Sequence, residues 1–358
     1  MRFVLNPLTG LLDRVNQLIK IYDAVVDITG GGDFTTIQAA LDDGHTTIFV
    51  RNGTYVTNSD ITLPGTPASN IKIIGENRQN TIIDFNSGNN QFTAAGYVDC
   101  LISGLTIRDS TATDGAITET ITTVNRFDID DCIFSGNTLH IQLSSFRYGR
   151  ITNCFLTDHS STGKAIDLDS SALRAIIAFN IIEQSSFGGN AEGIHVVGSE
   201  CQIVFNNINR IGKVCIETGI GSRNVVSNNG LTPLPAGIGS GAVRSILMAS
   251  NQSVVSQNNM NATAAPGDGG IASIEIQGNQ NMINNNMITT GDADGILING
   301  NFDNNIITSN YVKVTGAGIN IATSTANNTI ITNNNVADST TKITDSGTGT
   351  EQAHNLIT

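Results

Sequence analysis

The sequence predicts an all-β fold, a single parallel solenoid running through most of the chain, and three observations carry that expectation. Among 358 residues there are 37 glycines, no tryptophan and only 14% charged side chains. Asn, Thr and Ile are frequent, a composition that suits short strands and many turns better than helices. A six-residue signature, apolar-x-x-(Asn/Cys)-x-apolar, is legible ten times: ISGLTI from 102, IDDCIF from 129, ITNCFL from 151, IAFNII from 177, IVFNNI from 203, VSNNGL from 226, VSQNNM from 255, INNNMI from 283, ITSNYV from 307 and ITNNNV from 331. Its starts lie 22 to 29 residues apart, too short for a helical-pair repeat and right for one coil of stacked strands. The fourth position then forms an internal column: Leu105, Cys132, Cys154, Asn180, Asn206, Asn229, Asn258, Asn286, Asn310, Asn334.

Asparagines stacked inside a turn can each donate an amide proton to the next carboxamide or to a backbone oxygen, so the buried polar groups satisfy one another. Asn also tolerates the left-handed backbone of a tight turn. Where the column starts there is no asparagine below, and an unsatisfied amide would cost roughly 1–3 kcal/mol. Cys132 and Cys154 are therefore expected as small apolar fillers and not as nucleophiles. Five cysteines without CxxC spacing give neither a disulfide framework nor a zinc site, and no metal or cofactor is expected. With coils about 4.8 Å apart, ten coils span on the order of 50 Å.

Over residues 26–345 the chain resembles the right-handed, single-stranded parallel β-helix family that includes pectate lyases, pectin esterases and phage tailspikes. GGGDFTTIQAALDDGHTTIFVRNGTYV at 30–56 is similar to the opening of many such proteins. That implies a short amphipathic helix around Ile37, Ala40 and Leu41 capping the open end, then a strand ending in Asn52-Gly53-Thr54-Tyr55. NIKIIGENRQNTIIDF at 70–85 continues in the family's manner. The catalytic signatures are missing: there is no Trp-Ile-Asp-His, no Arg-x-Pro-x-x-Arg and no esterase Gln/Asp/Arg set, and Asp130-Asp131 echoes the galacturonase carboxylates without a following Gly-His-Gly. A standard pectinolytic enzyme is not expected. A second resemblance lies in MRFVLNPLTGLLDRVNQL, which is similar to short Asn-Pro-x-Thr-Gly-x-Leu-Asp openings of phage structural proteins. Leu11, Leu12, Val15, Leu18 and Ile19 follow it with the spacing of one helix face. The expected division is 1–25 as an attachment or oligomerisation segment, 26–60 as opening coil and cap, 61–345 as parallel β-helix, and 346–358 as a tail too poor in apolar residues to be a trimerisation domain.

Eighteen Lys+Arg against 31 Asp+Glu give a net charge of −13, and no basic run with interleaved aromatics appears, which argues against nucleic acid as a partner. An anionic glycan would need a local Lys/Arg patch or a bridging cation. Asn6, Pro7 and Gly10 stand where a signal peptide needs an unbroken apolar segment, and no stretch is long enough to span a membrane. Synthesis in a cytoplasm and release by lysis, with no membrane partner, is the expectation.

The exposed sheet can be phased from the apolar-x-apolar strand ahead of each turn, whose middle residues point outward. They are Thr118, Gln142, Asp167, His195, Glu217, Leu247, Glu275, Leu297 and Asn320. Gln142, Asp167, His195 and Glu217 should stack on four neighbouring rungs, with Asp169 beside Asp167 on the same face. Asp167 and Glu217 would lie roughly 10 Å apart at the backbone, within reach of the roughly 6.5–9.5 Å carboxyl spacing of inverting glycosidases, with His195 between them to tune either. A lyase would instead need a base and a cation for a uronate, and Lys164, Arg210 and Lys213 are expected on loops of these same coils. The candidate catalytic residues are thus Asp167, His195 and Glu217, and the candidate binding residues Gln142, Asp169, Lys164, Arg210 and Lys213. The plainer alternative is a solvated face with charge pairs across rungs. GDADG at 291–295 lacks the spacing of an oxygen cage, so Asp292 and Asp294 read as turn residues.

Together these features suggest a phage virion structural or adhesion protein that binds host-surface polysaccharide through the exposed face. The tailspike resemblance implies a homotrimer joined to other virion proteins through the N-terminus and located in the virion. The second reading is a polysaccharide depolymerase, hydrolase or lyase, at Asp167, His195 and Glu217.

Overall fold

The computed structural model describes residues 3–5, 12–14, 22–64, 70–94, 99–119, 126–160, 162–184, 191–233, 243–262, 271–290 and 293–358. Each coil contributes one short strand to each of three parallel sheets, and each strand pairs with its counterparts in the coils before and after. The first sheet runs from Ala24–Val26 to Glu351–Ala353 in 14 strands, the second from Gly53–Val56 to Leu356–Ile357 in 13, and the third from Ile61–Leu63 to Thr341–Asp345 in 12. The architecture is the right-handed parallel β-helix expected. β-Branched residues fit these strands because their stiff side chains pack rung on rung. Ile129, Ile151, Ile177, Ile203, Val226, Val255, Ile283, Ile307 and Ile331 stand in register through the first sheet, and all are fully buried. The helix Ile37–Asp42 buries Ile37, Ala40 and Leu41, and the Thr36 hydroxyl at its N-cap accepts from the Ala39 N–H at 3.2 Å.

The signature spans the corner between the first and second sheets, and its fourth position is the buried column anticipated. Each carboxamide oxygen accepts from the backbone N–H of the preceding coil's column residue and, within the asparagine run, from that residue's side-chain amide as well. Asn206 Oδ1 takes both from Asn180, at 3.1 and 3.0 Å, while Asn206 Nδ2 donates to Ile177 O and to Asn229 Oδ1 at 2.9 and 3.1 Å. The run continues one rung beyond the sequence reading, to Asn355, which accepts from Asn334.

Two expectations about this corner are corrected. The left-handed residue is not the column asparagine but the one before it: Gly104, Asp131, Asn153, Phe179, Phe205, Asn228, Gln257, Asn285, Ser309, Asn333 and His354 all have φ between 52° and 71°. Side chains as bulky as phenylalanine are held there because the turn is over-determined by the ladder beside it. The ladder also has a polarity that changes the account of the cysteines. Asn180, its first member, is satisfied because Cys154 N donates to its Oδ1 at 3.0 Å, so an amide at position 154 could likewise accept from the backbone of 132. The thiols of Cys132 and Cys154 lie 3.7 and 3.9 Å from Ile102 O and Ile129 O, the carbonyls that an asparagine amide takes elsewhere. They are weak donors in a donor's place. Cys154→Asn should therefore extend the ladder and raise stability by about 1 kcal/mol in chemical denaturation; a loss of similar size would restore the unsatisfied-amide explanation. All five cysteines are buried free thiols, and burial pushes those of Cys100 and Cys154 well above their ordinary range and that of Cys201 to about 11.

A second buried ladder, between the third and first sheets, was missed. Cys201 N donates to Asn224 Oδ1, Asn224 N to Ser253 Oγ, Ser253 N to Asn281 Oδ1 and Asn281 N to Asn305 Oδ1, each at 2.9 Å. Its signal was a small polar residue or cysteine two places before the first apolar signature residue in the coils whose signatures start at 203, 226, 255, 283 and 307.

At the ends the structure departs from the expected division. Phe3–Leu5 and Leu12–Arg14 pair antiparallel, so Leu12 lies on a strand where a helix face was expected. The other positions of that apolar spacing lie outside the described residues. The proposed tail 346–358 is not separate: Glu351–Ala353 and Leu356–Ile357 pair into the first and second sheets, because Asn355 supplies the ladder group that a further coil needs.

Candidate functional site

The third sheet holds the outward column in the phase read from the sequence. Thr118, Gln142, Asp167, His195, Glu217, Leu247, Glu275, Leu297 and Asn320 are successive register partners. Their inward neighbours, such as Ile166, Leu168, Ile194 and Val196, are fully buried, which pins the alternation and with it the direction of every outward side chain.

Asp167, His195 and Lys164 form one cluster. His195 Nδ1 lies 2.6 Å from Asp167 Oδ1, and Lys164 Nζ lies 3.2 Å from the same oxygen and 2.8 Å from Nδ1. Burial pushes the Asp167 carboxyl up, but the hydrogen bond from His195 and the Lys164 charge outweigh it and hold the group below its ordinary value. Both neighbours address Nδ1, the Asp167 carboxylate as an acceptor and the Lys164 ammonium as a donor, which leaves Nε2 open to a ligand. Nε2 points toward Glu217 Oε1 at 3.8 Å, beyond hydrogen-bond length. The side chains of Asp167, His195 and Glu217 remain 16–22% exposed, dry enough to hold a fixed geometry and open enough to be reached.

The remaining candidates divide. Gln142 is the register partner of Asp167 and flanks the cluster. Lys213 forms an ion pair with the buried Glu192, which is itself the register partner of Lys164, so it braces the cluster at one remove. Arg210 is placed in the turn after Asn207–Asn209, with φ 61°, and not on the sheet face. Asp169 is also corrected: it is exposed past the end of Lys164–Leu168 and accepts from the Ser170 N–H at 2.6 Å, a turn role that takes it off the face. Asp294, expected in a turn, begins the strand Asp294–Ile298 and accepts from Ala317 N and Asn320 Nδ2, both at 2.8 Å; Asp292 lies outside the described residues.

Sequence reasoning missed Glu192 and the buried pair of Arg244 with Glu275, whose second oxygen accepts from Gln277 Nε2 at 2.7 Å. Lys164, Glu192 and Arg244 all sit two residues before the inward isoleucine, with Ala165, Gly193 or Ser245 between. That recurrent pattern was visible in KAID, EGIH and RSIL.

Glu119, beside Thr118 on the same sheet, has a different character. It is buried, one oxygen accepts from the Ser145 N–H, and the other has no partner among the described residues. Burial raises its pKa from 4.5 to about 7. Between those two values the folded protein keeps a proton that the unfolded chain has released. Its contribution to stability is therefore present in full below about pH 4.5 and is lost as pH rises toward 7, by roughly 3 kcal/mol. Glu119→Gln should flatten that decline, a difference measurable by urea denaturation at about pH 5 and about pH 8; an unchanged slope would show that the carboxyl is ionised in place.

No family model and no curated protein matches the sequence. Solved structures do match. The catalytic unit of a thermostable GH87 α-1,3-glucanase from Streptomyces thermodiastaticus aligns with a TM-score of 0.62 at 10% identity over 94% of this chain and 68% of that one. A PL6-family alginate lyase, AlyGC, aligns at 0.55 and 14% identity over 87% of this chain but only 48% of its own length, so the chain spans about half of that protein. The periplasmic alginate epimerase AlgG aligns at 0.59 and 11% identity over 88% of this chain and 84% of that one. At such identities the likeness is one of fold: these proteins share with the present chain the parallel β-helix.

Proposed function

We propose that the protein acts on a polysaccharide laid along the third sheet, with His195 Nε2 as the proton-transferring group, Asp167 orienting its ring and Glu217 facing it across the gap. The carrying observation is the 2.6 Å Asp167–His195 contact beside the 3.8 Å opening to Glu217 on an accessible face. A base oriented by a carboxylate on an accessible face, where a water or a sugar hydroxyl can approach Nε2 from solvent, is what hydrolysis or elimination requires. Asp167 is held ionised, so this reading does not use it as the protonated acid of an inverting pair. The fold neighbours with TM-scores above 0.5, a glucanase, an alginate lyase and an alginate epimerase by name, support a glycan as partner by analogy of fold alone.

The virion adhesion reading uses the same face without turnover. It is favoured by the phage-like opening at 1–25 and the missing family signatures; the homotrimer, the N-terminal attachment and the virion location belong to it. The test is incubation with a panel of bacterial surface polysaccharides, following new reducing ends and the ultraviolet absorbance of unsaturated uronate. Product in either channel supports the enzyme, retention of polysaccharide without product supports the adhesin, and neither result on any glycan overturns both.

A further inference from the structure

We infer that the pocket on the N-terminal side of the cluster is a subsite for one neutral pyranose ring, an inference that rests on the glycan reading above and specifies it. The pocket has a volume of about 240 Å³ and is bounded by Gln142, Thr113, Thr138, Ser160, Lys164 and Asp167, with Leu139 also on its wall. A shallow site of this size accommodates one sugar ring of a chain that continues along the face. Hydroxyl-bearing residues of three successive coils, Thr113, Thr138 and Ser160, line it together with one apolar residue, the mixture that a sugar's hydroxyls and C–H face require.

Gln142 Oε1 is buried beneath the pocket's lining and has no hydrogen-bond partner among the described residues; a turn of the amide toward the pocket would let a hydroxyl donor from outside remove that cost. Gly163 keeps the pocket's edge tight: a Cβ there would run into Thr138 O and lie 2.8 Å from Ser160 Oγ, so the two turns approach as closely as backbone allows. The charge excludes an acidic sugar. Lys164 is the pocket's one cation among its bounding residues and is already shared with Asp167 and His195, while the ionised Asp167 on the wall would repel a uronate. Gln142 is one rung before Asp167, which is one rung before His195. A ring over Gln142 therefore lies one rung, about 4.8 Å, from Asp167, which puts the next residue of a glycan running along the sheet beside the cluster.

The test uses the whole chain and four probes: methyl glucoside, methyl galactoside, N-acetylglucosamine and glucuronate, followed by saturation-transfer and titration NMR. At least one neutral probe should bind, at least about tenfold more tightly than glucuronate, and Gln142→Leu and Thr113→Trp should each weaken it by about tenfold or more. Asn259→Ala, on the second sheet and outside the pocket, should leave it unchanged. Gln142→Leu should melt no lower than the parent, because it removes an unpartnered buried acceptor, so a binding loss will not be a folding loss. Binding indifferent to both variants, or no neutral probe bound, overturns the subsite. If the parent protein still turns over or retains a polysaccharide in that case, the glycan reading survives; if it does neither on any glycan, that reading falls separately.

Discussion

Asn258→Ala should destabilise the protein by about 3–5 kcal/mol, among the largest losses available to a single substitution in this chain. Asn258 Oδ1 accepts from Asn229 N and Nδ2 at 3.0 and 2.9 Å, and its Nδ2 donates to Val226 O and Asn286 Oδ1 at 2.9 and 3.0 Å. The residue is 1% exposed. Alanine removes all four bonds and leaves the Asn229 N–H and the Val226 carbonyl without these partners in a space too tight to hydrate. The exposed neighbour Asn259 provides the control, since Asn259→Ala should change stability by no more than about 0.5 kcal/mol. Urea denaturation of both variants decides the matter. A loss below about 1 kcal/mol for Asn258→Ala would mean that water replaces the amide and that the ladder contributes little to stability.

His195→Ala should lower kcat on a cleaved polysaccharide by about 10²–10⁴-fold, the usual loss when a positioned acid–base group is removed. Asp167→Asn acts through His195 and should cost less, while shifting the acid limb of the pH profile, because an amide at 167 removes the negative charge beside the imidazole. Polysaccharide retention on an affinity gel should persist in both variants. Equal turnover by parent and His195→Ala would remove the proposed chemistry. Loss of retention together with turnover would recast the cluster as a binding element.

The architecture was legible because the apolar-x-x-(Asn/Cys)-x-apolar unit constrains both the period and the inward phase, and one inward isoleucine per coil fixes the direction of every neighbour. For the same reason the outward column from Thr118 to Asn320 kept its register at each rung, although Thr118, Glu275 and Leu297 are buried there and not exposed. What periodicity cannot carry is direction and pairing. It did not show that the asparagine oxygens point toward the preceding coil, and so it assigned the cysteines to an amide deficit that does not exist. It placed the left-handed residue one position late, because Asn and Gly recur on both sides of the corner. It put Asp169 on the face because an alternating count continues past a strand end where the chain itself does not. Lys164 was seen as a loop cation and not as the partner of Asp167 and His195, since side-chain pairing between rungs depends on rotamers that a one-dimensional count does not contain.

The one-way amide ladder bears on how such a chain can change its length. Each rung presents an acceptor backward and donors forward, so any rung can be joined to any other without altering what either must find. Excising residues 255–282 would bring Asn229 against Asn286 and Val226 against Ile283, with like groups meeting like. Growth and shrinkage by whole coils are thus permitted steps of about 4.8 Å each, whereas a gain or loss of part of a coil breaks two ladders at once.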